Sequence, residues 1–137
     1  MSFAQAAQVV SDADPARVWA VLLDGRGWSR WNHGVQWAVF EGEPAPGTIV
    51  TVKPNRAPQT ALRIEAVEPE RMLALVLTVG PLATLRMRWE LNPGADGTVL
   101  VQAVATSGPL ADPLLRRAAE RIAGGMAANL QRLVALA

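Results

Sequence analysis

Residues 112–137 read DPLLRRAAERIAGGMAANLQRLVALA, and this stretch decides the fold. Asp112 and Pro113 are typical of a helix start, because an Asp side chain can accept a backbone N–H and Pro has none to lose. Behind them, apolar residues recur in steps of three and four and form one stripe: Leu115, Ala119, Ile122, Met126, Leu130, Leu133 and Ala137. The stretch therefore predicts a long amphipathic helix, and its apolar stripe needs a large partner surface.

That partner surface is predicted to be a sheet. From Val35 onward the period of the apolar residues changes to two, and six segments have the length and composition of strands: 35–41, 48–53, 59–67, 71–79, 84–91 and 98–106. Residues 3–11 add a first strand. Short links rich in Gly and Pro join consecutive segments, which indicates antiparallel hairpins.

Two short helices are expected between the first strand and the others. Asp14 and Pro15 repeat the helix opening, and Gly25 ends that helix. Trp28 and Trp31 then lie on one face of a second helical turn. The order predicts one α+β domain over residues 1–137, with a seven-stranded antiparallel sheet that curls around the C-terminal helix.

Composition excludes several classes of protein. Half of the residues are hydrophobic and 18% are charged, which is not typical of a disordered chain. The 13 basic and 12 acidic residues give a net charge of +1 and form no basic run, so we expect no nucleic-acid partner. Without Cys there are no disulfides, thiol nucleophiles or cysteine metal ligands. We expect a cytoplasmic protein without membrane insertion, cofactor or metal, because the corresponding signatures are missing from the sequence.

The sequence resembles the START-like superfamily, also called SRPBCC, and within it the bacterial polyketide cyclase/dehydrase-type proteins. The resemblance covers nearly the whole chain and is carried by the C-terminal helix and by short motifs: Asp14-Pro15-Ala16-Arg17-Val18-Trp19, Trp28-Ser29-Arg30-Trp31, Gly47, Val67-Glu68-Pro69, Trp89-Glu90-Leu91 and Gly97-Thr98. It implies a helix-grip fold of the Bet v 1 type, in which the sheet and the helix enclose a cavity for apolar or amphipathic small molecules. None of these motifs is catalytic, so they indicate the fold rather than an activity.

Strand alternation predicts which residues face the helix. On 84–91 these are Leu85, Met87, Trp89 and Leu91, with Thr84, Arg86, Arg88 and Glu90 toward solvent. On 98–106 both faces tolerate burial, and the choice of Leu100, Gln102, Val104 and Thr106 follows the resemblance. On 71–79 we choose Leu73, Leu75 and Leu77. On 59–67, Arg63 and Glu65 are expected to point outward, because an unpaired buried charge is costly.

The predicted ligand-binding residues lie on these strand faces, on the apolar stripe of the C-terminal helix, or at the cavity mouth that the resemblance implies. They are Trp31, Trp37, Leu75, Leu77, Met87, Trp89, Leu100, Gln102, Val104, Thr106, Ala119, Ile122 and Met126. Gln102 and Thr106 are the polar points of an otherwise apolar wall. The alternative is that these residues simply fill the core. Gly124 and Gly125, inside the helix, indicate either a kink or close approach to the sheet, or room for a ligand.

His33 is the only histidine and the only catalytic candidate, because an imidazole in a turn near the mouth could exchange protons near neutral pH. The alternative is an exposed loop histidine.

Three hypotheses for the function follow. The first is a binder of a hydrophobic small molecule, lipid-like or polyketide-like, and the second is an enzyme of the cyclase or aromatase kind. The third is a protein-interaction module that uses the outer face of the sheet, with Arg86, Arg88 and Glu90. We expect a monomer or a homodimer.

Overall fold

A computed structural model describes residues 3–137, and its elements follow the predicted order. The strands are β1 (Ala4–Ser11), β2 (Val35–Phe40), β3 (Ile49–Pro54), β4 (Thr60–Glu68), β5 (Met72–Val79), β6 (Ala83–Gly94) and β7 (Gly97–Ser107). The helices are α1 (Pro15–Leu23), a 3-10 helix (Gly25–Arg30) and α2 (Ala111–Ala135). The predicted strands, two short helices and long final helix are confirmed.

The seven strands form one antiparallel sheet in the order β1-β7-β6-β5-β4-β3-β2. Strands β2 to β7 pair with their neighbours in sequence, whereas β1 pairs with β7. The curved sheet packs α2 mainly against β1, β7 and β6. This arrangement is the predicted helix-grip fold.

Side chains on the central strands alternate as predicted. The inner residues of β6 and β7 are buried or half-buried: Leu85, Met87, Trp89 and Leu91 on β6, and Leu100, Gln102, Val104 and Thr106 on β7. On β5, Leu73 and Leu75 belong to the core, which confirms the chosen face. Val76 on the opposite face is also buried, because it lies between the long side chains of Arg63 and Arg86 in the register.

The outer face of the sheet carries paired charges. Arg63 and Glu65 are exposed as predicted. The Arg86 guanidinium lies 3.0 Å from the Glu65 carboxylate, and Arg88 lies 2.6 Å from Glu90. These exposed pairs neutralise one another locally, and each contributes little to stability.

The 3-10 helix lies against β2. A Cβ atom at Gly25 would be 2.7 Å from the Ala38 carbonyl oxygen, so only glycine permits this approach. Trp28 and Trp31 follow on one face, with ring centroids 5.4 Å apart. The predicted pairing of these two tryptophans is therefore confirmed.

The predicted cap of α2 is wrong. The helix begins at Ala111 with Leu110 as its N-cap residue, and Asp112 lies inside the first turn. The cause is a contact distant in sequence, since the Leu110 N–H donates to the Leu82 carbonyl oxygen at 2.9 Å. Gly108 permits this approach, because a Cβ atom there would be 2.6 Å from the same oxygen.

The interior consists of two apolar clusters. The first core cluster contains Trp28, Trp31, Leu75, Trp89, Leu100 and Leu130, among others. The second core cluster consists of Phe3, Ala83, Leu85, Val104, Leu115, Ala119 and Met126. Ala7, Leu77 and Met87 pack against both clusters. The boundary between the clusters therefore crosses the middle of the concave face.

Candidate functional site

The concave face and α2 bring together all of the predicted ligand-binding residues except Trp37. Trp31, Leu75, Trp89 and Leu100 lie in the first core cluster, and Val104, Ala119 and Met126 lie in the second. Leu77, Met87 and Ile122 pack against these clusters, and Gln102 and Thr106 are buried on the inner face of β7. Whether these residues bind a ligand stays a prediction.

Trp37 is separated from this group by the alternation of β2. Its neighbour Ala38 is fully buried in the first core cluster, so Trp37 lies on the outer face, opposite Lys53 of β3. A β-bulge between Val35 and Trp37 shifts the register at this point. The placement of Trp37 at the cavity mouth followed the family resemblance, which does not reveal the bulge.

Four partly exposed apolar residues pack against the second core cluster, and we call them the mouth: Leu77 and Met87, which also pack against the first core cluster, and Ile122 and Ala123 of α2. Met87 is the most informative of them. It lies mid-strand on the inner face, between Leu85 and Trp89, which are only 2% and 1% exposed. A residue in that position keeps access to solvent only where the covering layer is incomplete.

Three tryptophans form the floor beside the mouth. The ring centroid of Trp89 lies 5.7 Å from that of Trp28 and 6.5 Å from that of Trp31. These tilted and edge-on arrangements are favourable for aromatic pairs. The floor therefore presents aromatic surface in more than one orientation.

Polar atoms on this floor differ in whether they have partners. The Trp28 Nε1–H donates to the Leu22 carbonyl oxygen at 2.8 Å. Trp31 Nε1, Trp89 Nε1 and Gln102 Oε1 are buried and have no hydrogen-bond partner among residues 3–137. The sequence identified Gln102 as a polar point, but nothing in it distinguishes the paired indole of Trp28 from the two unpaired ones.

Thr106, the other predicted polar point, already has a partner. Its hydroxyl oxygen accepts a hydrogen bond from the Phe3 backbone N–H at 3.0 Å. The Thr106 N–H in turn donates to the Phe3 carbonyl oxygen at 2.8 Å. Thr106 therefore holds the residue that precedes β1 against β7.

His33 lies outside the concave interior. Its side chain is exposed on the loop between the 3-10 helix and β2. Its backbone N–H donates to Asn129 Oδ1 of α2 at 3.4 Å, and its carbonyl oxygen accepts from Asn55 Nδ2. The structure thus fixes the loop and does not bring the imidazole together with the predicted pocket residues.

The same loop is tied to α2 by a polar cluster that the sequence did not predict. Asn129 Nδ2 donates to Asn32 Oδ1 at 3.2 Å, and Arg132 Nε donates to the Trp31 carbonyl oxygen at 3.0 Å. The Arg132 guanidinium also donates to Asn129 Oδ1. Asn129 is buried on the helix face that meets the loop. We call this group the loop clasp.

Two hollows lie elsewhere on the molecule. One, of about 310 Å³, is bounded by Val10, Asp12, Gln131 and Val134, and another, of about 190 Å³, lies beside Leu136. Neither is lined by a predicted ligand-binding residue. Trp31, Trp89 and Leu100 of the predicted pocket are at most 1% exposed, so a ligand entering at the mouth must move side chains.

A sequence profile of polyketide cyclase/dehydrase and lipid transport proteins matches residues 4–137. The chain belongs to this family. Comparison with curated proteins gave no significant match. No helix among residues 3–137 combines the length and the apolar character that crossing a bilayer requires.

Solved structures similar to this family member agree on the fold. The Zhui aromatase/cyclase from Streptomyces sp. R1128 superimposes with a TM-score of 0.74 at 17% identity, covering 98% of this chain and 93% of that one. Ara h 8.0201 gives 0.69 at 14% identity, with 98% and 97% covered. The di-domain ARO/CYC protein BexL, from the BE-7585A biosynthetic pathway, gives 0.68 at 15% identity and covers 99% of this chain and 50% of that one.

Proposed function

We propose that this protein binds an apolar or aromatic small molecule, lipid-like or polyketide-like, between the concave face of the sheet and α2. The partial exposure of the mouth residues supports this proposal most directly. Met87 lies in the centre of a buried strand face and still reaches solvent, and Ile122 of α2 packs against the same core cluster. An opening lined only by apolar side chains suits a ligand that binds by burying apolar area, at about 25 cal/mol per Å² before the costs of association.

Flexible side chains allow the site to widen. Met87 and Met126 have unbranched, adaptable side chains; Met87 packs against both core clusters, and Met126 belongs to the second. A ligand that separates the clusters replaces contacts between side chains with contacts to itself. The open conformation of the site is then populated mainly when a ligand is present, as expected for a minor conformation stabilised by binding.

The test is a titration that follows tryptophan fluorescence, with palmitate and 2-methylnaphthalene as separate probes. We expect saturable binding of at least one probe, weakened by Ile122→Ser. Leu114→Ser is the matched control, because Leu114 is also an aliphatic residue of α2 but is 46% exposed. Absence of saturable binding, or equal effects of the two substitutions, would contradict the proposal.

A cyclase or aromatase reaction is the second candidate. It is supported by the family to which the chain belongs and by the similarity in fold to aromatase/cyclase structures. His33 is separated from Gln102, since one is exposed on a loop and the other is buried on β7. Turnover of a polyketide substrate that persists in His33→Ala would remove the version in which this histidine is the catalyst.

We also retain three less specific proposals. The chain forms a single domain, acts in the cytoplasm, and is a monomer or a homodimer. Limited proteolysis, cell fractionation and light scattering test them in turn. The interaction-module hypothesis ranks below ligand binding, because Arg86, Arg88 and Glu90 of the outer face already form ion pairs with neighbouring side chains.

A further inference from the structure

Three buried polar atoms without partners occur on neighbouring side chains at the floor of the mouth. Trp31, Trp89 and Gln102 are 0%, 1% and 3% exposed. Their Nε1, Nε1 and Oε1 atoms find no hydrogen-bond partner within residues 3–137. Because nearly all buried polar groups in native proteins are hydrogen-bonded, three unpaired atoms in one place require an explanation.

The strand register places two of these side chains side by side. Trp89 of β6 and Gln102 of β7 are directly opposite in the antiparallel pair and share the inner face. Opposite residues in such a pair have Cβ atoms about 5 Å apart. Trp31 meets Trp89 edge-on, with ring centroids 6.5 Å apart. The three side chains thus form one local group, which we call the polar floor.

The polar floor lies next to the mouth. Met87 precedes Trp89 by two residues on the same strand face, a separation of about 7 Å. Ala7, the partner of Gln102 on β1, carries only a methyl group and packs against both core clusters. A ligand that enters past Met87 therefore comes close to Trp89 of the polar floor.

The chemistry of the three atoms selects one functional group. Each indole supplies one N–H donor, and Gln102 Oε1 supplies an acceptor. A hydroxyl group has two acceptor lone pairs and one donor, so it complements all three atoms at once. A ketone or ether oxygen would satisfy the two indoles but leave the Gln102 oxygen unpaired. Leaving a buried acceptor unpaired carries a desolvation penalty, which disfavours such a ligand.

We infer that the polar floor binds the hydroxyl group of an aromatic ligand, with Trp31 and Trp89 as donors to its oxygen and Gln102 as acceptor of its proton. This inference rests on the proposed function, because it concerns the ligand that the mouth admits. The surrounding indole rings make a phenolic ligand fit better than an aliphatic alcohol, since its ring can pack against their faces and edges.

Three matched probes test the inference: 2-naphthol, 2-methoxynaphthalene and 2-methylnaphthalene, titrated by calorimetry. They share the ring and differ in whether they offer a donor and acceptor, an acceptor only, or neither. We expect the naphthol to bind about tenfold more tightly than the methyl compound, the ratio that one net hydrogen bond supplies. The methoxy compound should bind with an affinity between those of the other two, because its oxygen can accept from the indoles but leaves Gln102 Oε1 unpaired.

Variants then test whether the preference for naphthol depends on the polar floor. Gln102→Leu should reduce the preference for naphthol over methoxynaphthalene to about onefold, and Trp89→Phe should reduce the preference for naphthol over methylnaphthalene. Trp28→Phe is the control, because the Trp28 N–H is already bonded to Leu22 and its loss should not change the preference. The wild-type comparison needs no substitution and so remains decisive if a variant fails to fold.

Each result of these titrations either supports or overturns the inference. Equal affinities for the three probes would overturn the inference and leave the proposed function standing, since the three atoms would then be satisfied by water rather than by the ligand. A preference for naphthol over methoxynaphthalene that survives Gln102→Leu would also overturn it. If neither the three probes nor palmitate binds, the proposed function is overturned together with the inference.

Discussion

Asn129 shows how much can depend on one side chain. Its amide oxygen accepts from the His33 N–H and from Arg132, and its amide nitrogen donates to Asn32. Removal of the side chain leaves these groups, which are partly buried, without that partner. We expect Asn129→Ala to lower the free energy of unfolding by about 1–3 kcal/mol. Urea denaturation measures the change.

Gln131→Ala is the control for that prediction. Gln131 lies two residues further along α2 and is exposed, so its truncation should change the free energy of unfolding by less than about 0.5 kcal/mol. Equal stability of the two variants would show that the loop clasp contributes nothing.

The sequence predicts which residues line the site, but not which of its polar groups have hydrogen-bond partners. Leu85, Trp89 and Gln102 could be assigned to the inner face, because alternation and the family pattern determine which way a strand residue points. Whether an indole N–H has a partner depends on a carbonyl group elsewhere in the chain, as the bond from Trp28 to Leu22 shows. The polar floor and the loop clasp therefore could not be predicted from the sequence.

Among the elements, α2 carries a feature that packing does not explain. The helix is continuous through Gly124 and Gly125. A Cβ atom at Gly124 would meet nothing within 4 Å, and one at Gly125 would meet only the Asn129 side chain, at 3.4 Å. Close approach to the sheet, one explanation considered from the sequence, is therefore wrong. Nothing in the structure requires glycine at Gly124.

Gly124→Ala should accordingly stabilise the protein. Alanine is favoured over glycine in a helix interior by about 1 kcal/mol, which for a chain of this size raises the melting temperature by about 4 °C. Differential scanning calorimetry measures the shift. Gly125→Ala should gain less, because its new methyl group would press on Asn129. A lower melting temperature for Gly124→Ala would contradict this account.

Element boundaries were predictable where local chemistry sets them and not where a distant contact does. Pro15 begins α1 as expected, since its ring favours the first helical position. The start of α2 differs from the prediction because the Leu110 amide bonds to Leu82, on the connection between β5 and β6. No local pattern around Asp112 contains that information.

At the scale of the whole molecule, the backbone amides of the sheet should not all be equally protected from hydrogen exchange. β6 has a hydrogen-bonded neighbour on each side over most of its length, whereas β2 is an edge strand with one partner. We expect backbone amides of β6 to exchange with solvent more slowly than those of β2, because their release requires wider opening of the sheet. Hydrogen exchange measured by mass spectrometry tests this, and similar rates in the two strands would contradict it.

The packing of Trp28, Trp31 and Trp89 has an optical consequence. Indoles with centroids 5.4 to 6.5 Å apart are close enough for exciton coupling, so their transitions should appear in circular dichroism as a shared signal rather than as three separate ones. Any molecule wedged among the rings would change their mutual angles and thereby alter that signal. The circular dichroism of these tryptophans therefore reports changes in the interior of the protein without an attached dye.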